Sequence, residues 1–184
     1  IVKKITGLNS LKNRRSTLTS ILSAGKTIDH VLIVFFKKPF SYTGEDVIEI
    51  TCHGNPSVVD LILKTIIKVG ARLADPGEFT KRAFINGKLD LVQAESVSAL
   101  IGSRSEAAAL MNQKTLSGAL SSCIGNLRDT LISLLSRLEF ELDVSEYENP
   151  EKTLPELLYK SLNNIKLDIS GLISTFEEGR LYNN

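Results

Sequence analysis

Leu116, Leu120, Ile124, Leu127, Leu131, Leu134, Leu138 and Leu142 recur at steps of four and three residues. That spacing constrains the second half of the chain more than any other feature. Such a seam runs along one face of a helix and needs another helix against it, as in a coiled coil. It predicts one long helix from about Ser105 to Val144, reaching about 60 Å at about 1.5 Å per residue if unbroken. Gly118 and Gly125 are the positions where it would weaken or bend. After an Asn149-Pro150 break, Leu158, Leu162, Ile165, Ile169, Leu172 and Phe176 repeat the same steps. Two long seams with a short connection predict an antiparallel helical hairpin. Asp90–Ile101 reads as a shorter amphipathic helix ahead of it. A hairpin alone leaves its apolar stripes half covered, and nothing near Asn183-Asn184 resembles a cap or a closing third helix. The chain is therefore expected to be part of something larger.

The first half has a different rhythm. Val31–Phe36 is a short apolar, β-branched and aromatic run suited to a buried strand, ended by Lys37-Lys38-Pro39. Val47–Cys52 alternates, with Ile48, Ile50 and Cys52 on one face and Val47, Glu49 and Thr51 on the other. Asn55-Pro56 is a helix start, and Val58, Val59, Leu61, Ile62, Ile66 and Ile67 follow at helical spacing toward Gly70 as terminator. Ala71–Ala74 reads as another short strand before the Asp75-Pro76-Gly77 turn. Strands joined by helices in this way predict a small α+β domain, with a boundary to the helical part near residue 86.

Composition narrows the function classes. With 42% hydrophobic and 23% charged residues the chain can bury a core as an ordinary globular protein. Its formal net charge of +1 gives no global pull toward nucleic acid or membrane. Two cysteines, Cys52 and Cys123, do not make a disulfide scaffold, which points to a reducing cytoplasm. No apolar run approaches the roughly 20 residues that span a bilayer. The balanced total hides a gradient: residues 1–40 carry eight basic side chains against Asp29 alone, and residues 138–184 carry ten acidic against four basic. Two different partners for the two ends would account for this, but on charge alone the chance asymmetry of a solvated surface is the better reading.

Few residues carry chemistry unaided. Ser23-Ala-Gly-Lys-Thr27 has the tail of a phosphate-binding loop, but Ser20 stands where its first glycine is needed. His30 and His53, with only two cysteines, supply neither a zinc-ligand spacing nor a catalytic triad, and a structural role is the commoner one for His53. Glu49 is a carboxylate within an apolar strand. It lies either on a solvated face, the ordinary case, or at a ligand-facing surface. There it would suit an amino-and-ring-N–H edge such as that of guanine or a pterin. Asp75–Asp90 is either a capped connector with a short helix, or a pocket for an aromatic anion with Phe79, Phe84 and the Lys88 cation.

Ser41-Tyr-Thr-Gly-Glu-Asp-Val-Ile-Glu-Ile-Thr-Cys-His-Gly54, and Gly70-Ala-Arg-Leu-Ala-Asp-Pro-Gly-Glu-Phe-Thr-Lys-Arg-Ala-Phe-Ile-Asn-Gly-Lys-Leu-Asp-Leu-Val-Gln-Ala-Glu95, closely resemble the MnmE/TrmE family of tRNA modification GTPases. The resemblance continues through Leu116–Leu120 and covers nearly the whole chain. It implies an N-terminal folate-binding and homodimerisation domain at 1–86, similar to that of aminomethyltransferases. The first part of a helical domain follows at 87–184, ending where a Ras-like GTPase domain would be inserted. With a flavoprotein partner, such proteins add an aminomethyl-type group to C5 of the tRNA wobble uridine. The one-carbon donor is a reduced folate, 5-formyl- or 5,10-methylene-tetrahydrofolate. Magnesium and potassium enter only through the GTPase domain.

Carried onto this sequence, the family's pterin-edge carboxylate is Glu49, its folate contact in Asn-Gly-Lys is Lys88, and its N-terminal cation is Lys4, standing where the family has arginine. The family's glycine-rich opening has no counterpart before Ile1, so weak folate binding at most is expected of the chain as it stands. No catalytic or metal-binding residue is assigned, and no GTP hydrolysis is expected. Two other classes remain open: a stand-alone folate-dependent one-carbon transferase, and a helical interaction scaffold without catalysis.

Overall fold

The computed structural model describes residues 1–144 and 154–182. They form two compact units, Ile1–Leu89 and a second from Asp90 onward. The fold class is α+β.

The first unit opens with a single helical turn, α1 (Val2–Thr6), closed by Gly7. Three antiparallel strands follow in the order β1 (Thr17–Ser23), β2 (Lys26–Phe36) and β3 (Val47–Thr51). The segment that imitates a phosphate-binding loop is the tip of the β1–β2 hairpin. Ser23 pairs with Lys26, and Ala24 and Gly25 both take positive φ, 49° and 78°, as a two-residue hairpin turn requires. The sequence reading missed β1 altogether, because Thr17–Ser23 is rich in hydroxyl side chains and only Ile21 is buried in it.

Alternation sorts the sheet into two faces. Ile21, Val31 and Ile33 are at most 1% exposed and form the core with Ile5 of α1. Ile62 completes it from α2 (Pro56–Lys68), and Ile48, Ile50 and Cys52 pack against it as their shared face predicts. Burying each such aliphatic side chain is worth about 1.5–3 kcal/mol. The start of α2 is the expected one, with Asn55 Oδ1 accepting from Ser57 N and Pro56 at the first helical position.

Residues 71–74 are not a strand. The segment is an irregular link to α3 (Glu78–Ile85), tied down by side chains, since both Arg72 Nη atoms donate to the Glu78 carboxylate at 2.6 and 2.8 Å.

The second unit is helical throughout the described residues. α4 (Leu91–Ile101) begins in a capping box: Gln93 N donates to Asp90 Oδ1, and Asp90 N to Gln93 Oε1. The single long helix expected from 105 to 144 is two helices, α5 (Glu106–Leu116) and α6 (Ala119–Val144). The break is at Gly118, whose φ of 90° lies outside the range a helix uses. Gln93 Nε2 fills the gap by donating to Leu116 O at 3.0 Å. Gly125 stays inside α6. α7 (Leu154–Tyr182) follows, with Pro155 in its first turn, while the Asn149-Pro150 break lies outside the described residues. α6 and α7 line one groove through Leu127, Ile165 and Leu172. Ile165 is buried there, whereas Leu131, Leu138, Leu162 and Ile169 of the two seams stay exposed. No helix among the described residues is long and apolar enough to cross a membrane.

Candidate functional site

The face of the sheet turned away from the core carries Val47 and Glu49 on β3, paired across β2 with Phe36 and Val34. Glu49 is exposed there, in the middle of its strand. The link from β2 to β3 is secured by hydrogen bonds from Lys38 N to Asp46 Oδ1 and from Ser41 Oγ to Glu45 O. On the other side of β2, Arg14 N donates to Phe35 O at 2.7 Å, just ahead of the start of β1.

These segments surround a cavity of about 360 Å³. Phe36, Phe40, Tyr42 and Val47 contribute its apolar surface, and Arg14, Glu49 and Lys88 its charges. Two residues nominated from the sequence, Glu49 and Lys88, thus meet at one cavity although 39 positions apart (88 − 49).

Lys88 is positioned by the turn after α3. Its N–H donates to Ala83 O at 2.8 Å, and Asn86 Nδ2 donates to the carbonyl of buried Thr43, also at 2.8 Å. Gly44 makes the close approach possible: a Cβ there would sit 3.2 Å from both Asn86 Cβ and Lys88 Cγ. Arg14, Glu49 and Lys88 have no ion-pair partner among the described residues. A carboxylate, two cations and aromatic walls suit a flat ring with donors on one edge and an anionic substituent.

Lys4 is elsewhere. It lies exposed on α1 and does not line this cavity, while its neighbour Lys3 borders an apolar hollow with Phe35 and Ile48. Phe79 does not join Lys88 as the aromatic-anion pocket required. It opens on a separate cavity of about 310 Å³ with Arg72, Glu78 and Arg82, and Phe84 lines neither. The reason is helical geometry, since Phe79 is in the first turn of α3 and Lys88 follows its last. Arg14, Phe40 and Tyr42 were not singled out as site residues from the sequence. For Arg14 the available signal was the basic character of residues 1–40, and for Tyr42 its place in the Ser41–Gly54 stretch that resembles the family.

Two charge clusters support the site. Glu78 accepts from Arg72 and from Arg82 Nη2 at 2.8 Å, and Arg82 reaches Glu45 at 3.0 Å. Hydrogen bonding from Arg72, then from Asp75 N, holds the Glu78 carboxyl down at about 2. His53 has the structural role expected of it, since Asp29 accepts from its backbone and ring. No group of three His, Cys, Asp or Glu among the described residues could hold a metal ion.

Residues 1–88 match the family described as GTP-binding protein TrmE N-terminus, and residues 91–184 match the MnmE helical domain. The relatives are each named tRNA modification GTPase MnmE. That of Carboxydothermus hydrogenoformans is 45% identical over 157 residues, 85% of this chain and 34% of the relative. That of Francisella tularensis (strain SCHU S4) is 47% identical over 80% of this chain and 33% of the relative. That of Aliarcobacter butzleri is 39% identical over 98% of this chain and 40% of the relative. The chain therefore spans between a third and two-fifths of the length of these relatives. Matches to the two domains, end to end with the junction where the two compact units meet, make the chain a member of the MnmE/TrmE family, comprising its N-terminal and helical domains.

Proposed function

We propose that this chain is the folate-binding and dimerising part of a tRNA modification GTPase. It presents a reduced one-carbon folate for installing an aminomethyl or carboxymethylaminomethyl group on C5 of the wobble uridine. A flavoprotein partner shares that chemistry, and GTP hydrolysis with its magnesium and potassium belongs to a domain outside these residues. The relatives' name supports the tRNA and GTPase elements. The folate assignment is supported above all by the meeting of Glu49 and Lys88 at one aromatic-walled cavity.

A reduced pterin offers a 2-amino group and an adjacent ring N–H on one edge, and one carboxylate accepts both. Glu49 projects from a strand whose backbone is fixed by its pairing with β2, so little freedom is lost on binding. Lys88 supplies a cation to the anionic glutamyl end or to the carbonyl oxygen of the one-carbon group. Lys4, on α1, has a weaker claim to the same task. Self-association through the first unit is supported by Leu18 and Leu32, paired on adjacent strands and both exposed. Sedimentation at micromolar concentration should give a two-fold dimer, and a monomer alone would overturn that part.

The deciding experiment is calorimetric titration of 5-formyltetrahydrofolate into the chain extended before Ile1 by the family's glycine-rich opening. Glu49→Gln sets a donor against a donor. Hydrogen bonds to charged groups are worth about 1.5–3 kcal/mol, so affinity should fall roughly ten- to hundred-fold. Unchanged affinity would overturn the assignment.

A further inference from the structure

Arg14 is held in an unusual way for an exposed arginine. Its backbone takes φ 55°, and among the described residues the other positive-φ residue that is not glycine, Ala24, is in the hairpin turn. Left-handed backbone at a long side chain persists only where the surroundings impose it. Here they do: Arg14 N donates to Phe35 O at 2.7 Å, and Asn13 Oδ1 accepts from Lys37 N at 2.8 Å. The guanidinium is fixed as well. Nη2 donates to Phe40 O at 3.2 Å, and its central carbon stands 5.5 Å from the Phe40 ring centroid. One N–H is thereby used, and the rest of the planar fork is left without an acidic partner among the described residues, at the cavity that Glu49 and Lys88 also line.

From this we infer that Arg14, pinned against Phe40, is the residue that recognises a carboxylate of the bound ligand, and with it the glutamyl tail of the folate. The inference rests on the folate reading and assigns the anionic end of that ligand to Arg14, in place of Lys4. A guanidinium held against a ring keeps its fork oriented, and two parallel N–H···O bonds to a carboxylate match that geometry. Glu49 at the same cavity repels a carboxylate and favours a donor-bearing edge. The two residues therefore read opposite ends of one ligand.

Two ligands separate the two ends: 5-formyltetrahydrofolate, and 5-formyl-6-methyltetrahydropterin, which lacks the benzoyl-glutamate arm and so carries no carboxylate. Arg14→Asn removes the cation yet tolerates left-handed backbone, so folding is kept, and an unchanged or raised melting temperature verifies this. Titrated into the same N-terminally extended chain, Arg14→Asn should weaken the glutamate-bearing ligand ten-fold or more and leave the carboxylate-free pterin unaffected. Arg14→Lys should recover only part of the loss, because it restores charge without the fork. Glu49→Gln should weaken both ligands alike. Equal effects of Arg14→Asn on the two ligands, or none on either, would overturn the inference while a loss in Glu49→Gln keeps the folate reading. Binding of neither ligand by the unsubstituted protein would overturn both.

Discussion

Asp29, on β2, accepts two hydrogen bonds from His53, one from its backbone N–H at 3.0 Å and one from ring Nδ1 at 2.7 Å, and so fastens the turn that leads into α2. The carboxyl is held below the ordinary aspartate range, first by the His53 backbone N–H, and further by the His53 ring and the His30 N–H. A depressed carboxyl contributes stability that is complete above its unfolded pKa, about 3.9 for aspartate, and lost as pH falls through its folded value. Asp29→Asn should lower the melting temperature at neutral pH by a few degrees and shrink the acid-dependent loss of stability. Melting curves from pH 7 to 3 that superimpose for the two proteins would show the bonds to be idle.

Glu78 answers to the same sign rule. Its carboxyl titrates at about 2 in the folded protein, against an ordinary value of 4.5. The stabilisation is in full above pH 4.5 and disappears as pH falls toward 2. Glu78→Gln should therefore be less stable than the parent at pH 7, with the gap in urea midpoints closing between pH 4.5 and 2. Because Arg72 loses its anchor too, segment 71–77 should become the first site of proteolytic cleavage in the variant. A gap independent of pH would mean that shape, and not charge, carries the effect.

Two glycines in the helical unit should respond in opposite directions to alanine. At Gly118, φ is 90° and a new Cβ would meet Gln93 Nε2 at 3.4 Å, so Gly118→Ala should cost about 1–2 kcal/mol. Gly125 is helical with open space around it, so Gly125→Ala should add up to about 1 kcal/mol. Chemical denaturation of both variants checks the pair. Stabilisation by Gly118→Ala would mean that the break between α5 and α6 is not required.

No magnesium-dependent GTP turnover should be measurable for this chain. Ser23–Thr27 is a hairpin tip whose flanking residues pair with each other, and it does not lead from a strand into a helix N-terminus as a phosphate cradle must. Turnover by purified protein that survives Lys26→Ala and Thr27→Ala would place a nucleotide site elsewhere among these residues.

Much of this architecture was legible because it depends on local spacing. Alternation around Glu49 placed Ile48 and Ile50 on the core side, and Asn55-Pro56 marked the start of α2, both without reference to distant residues. What escaped depends on bonds between segments and not on the spacing within one. β1 is a strand because β2 pairs with it, and its own residues signal hydroxyl-rich coil. Residues 71–74 looked like a strand and are tethered instead by Arg72 to Glu78. At the cavity, Glu49 and Lys88 were open possibilities from their own residues, and the resemblance to the family promoted them. Arg14 needed the fold, since only the pairing of residues 13 and 14 with Phe35 brings it there.

The packing of Gly44 against Lys88 bears on how this domain can change over evolutionary time. A side chain at 44 would begin 3.2 Å from Lys88 Cγ and equally 3.2 Å from Asn86 Cβ, on a backbone whose φ is 76°. A shorter residue at 88 would relieve only its own part of that crowding, and the left-handed backbone would still disfavour any side chain. Position 88 is therefore free to lose its cation without releasing position 44. Glycine at 44 should persist even in a lineage that abandons this pocket, outlasting the charge it makes room for.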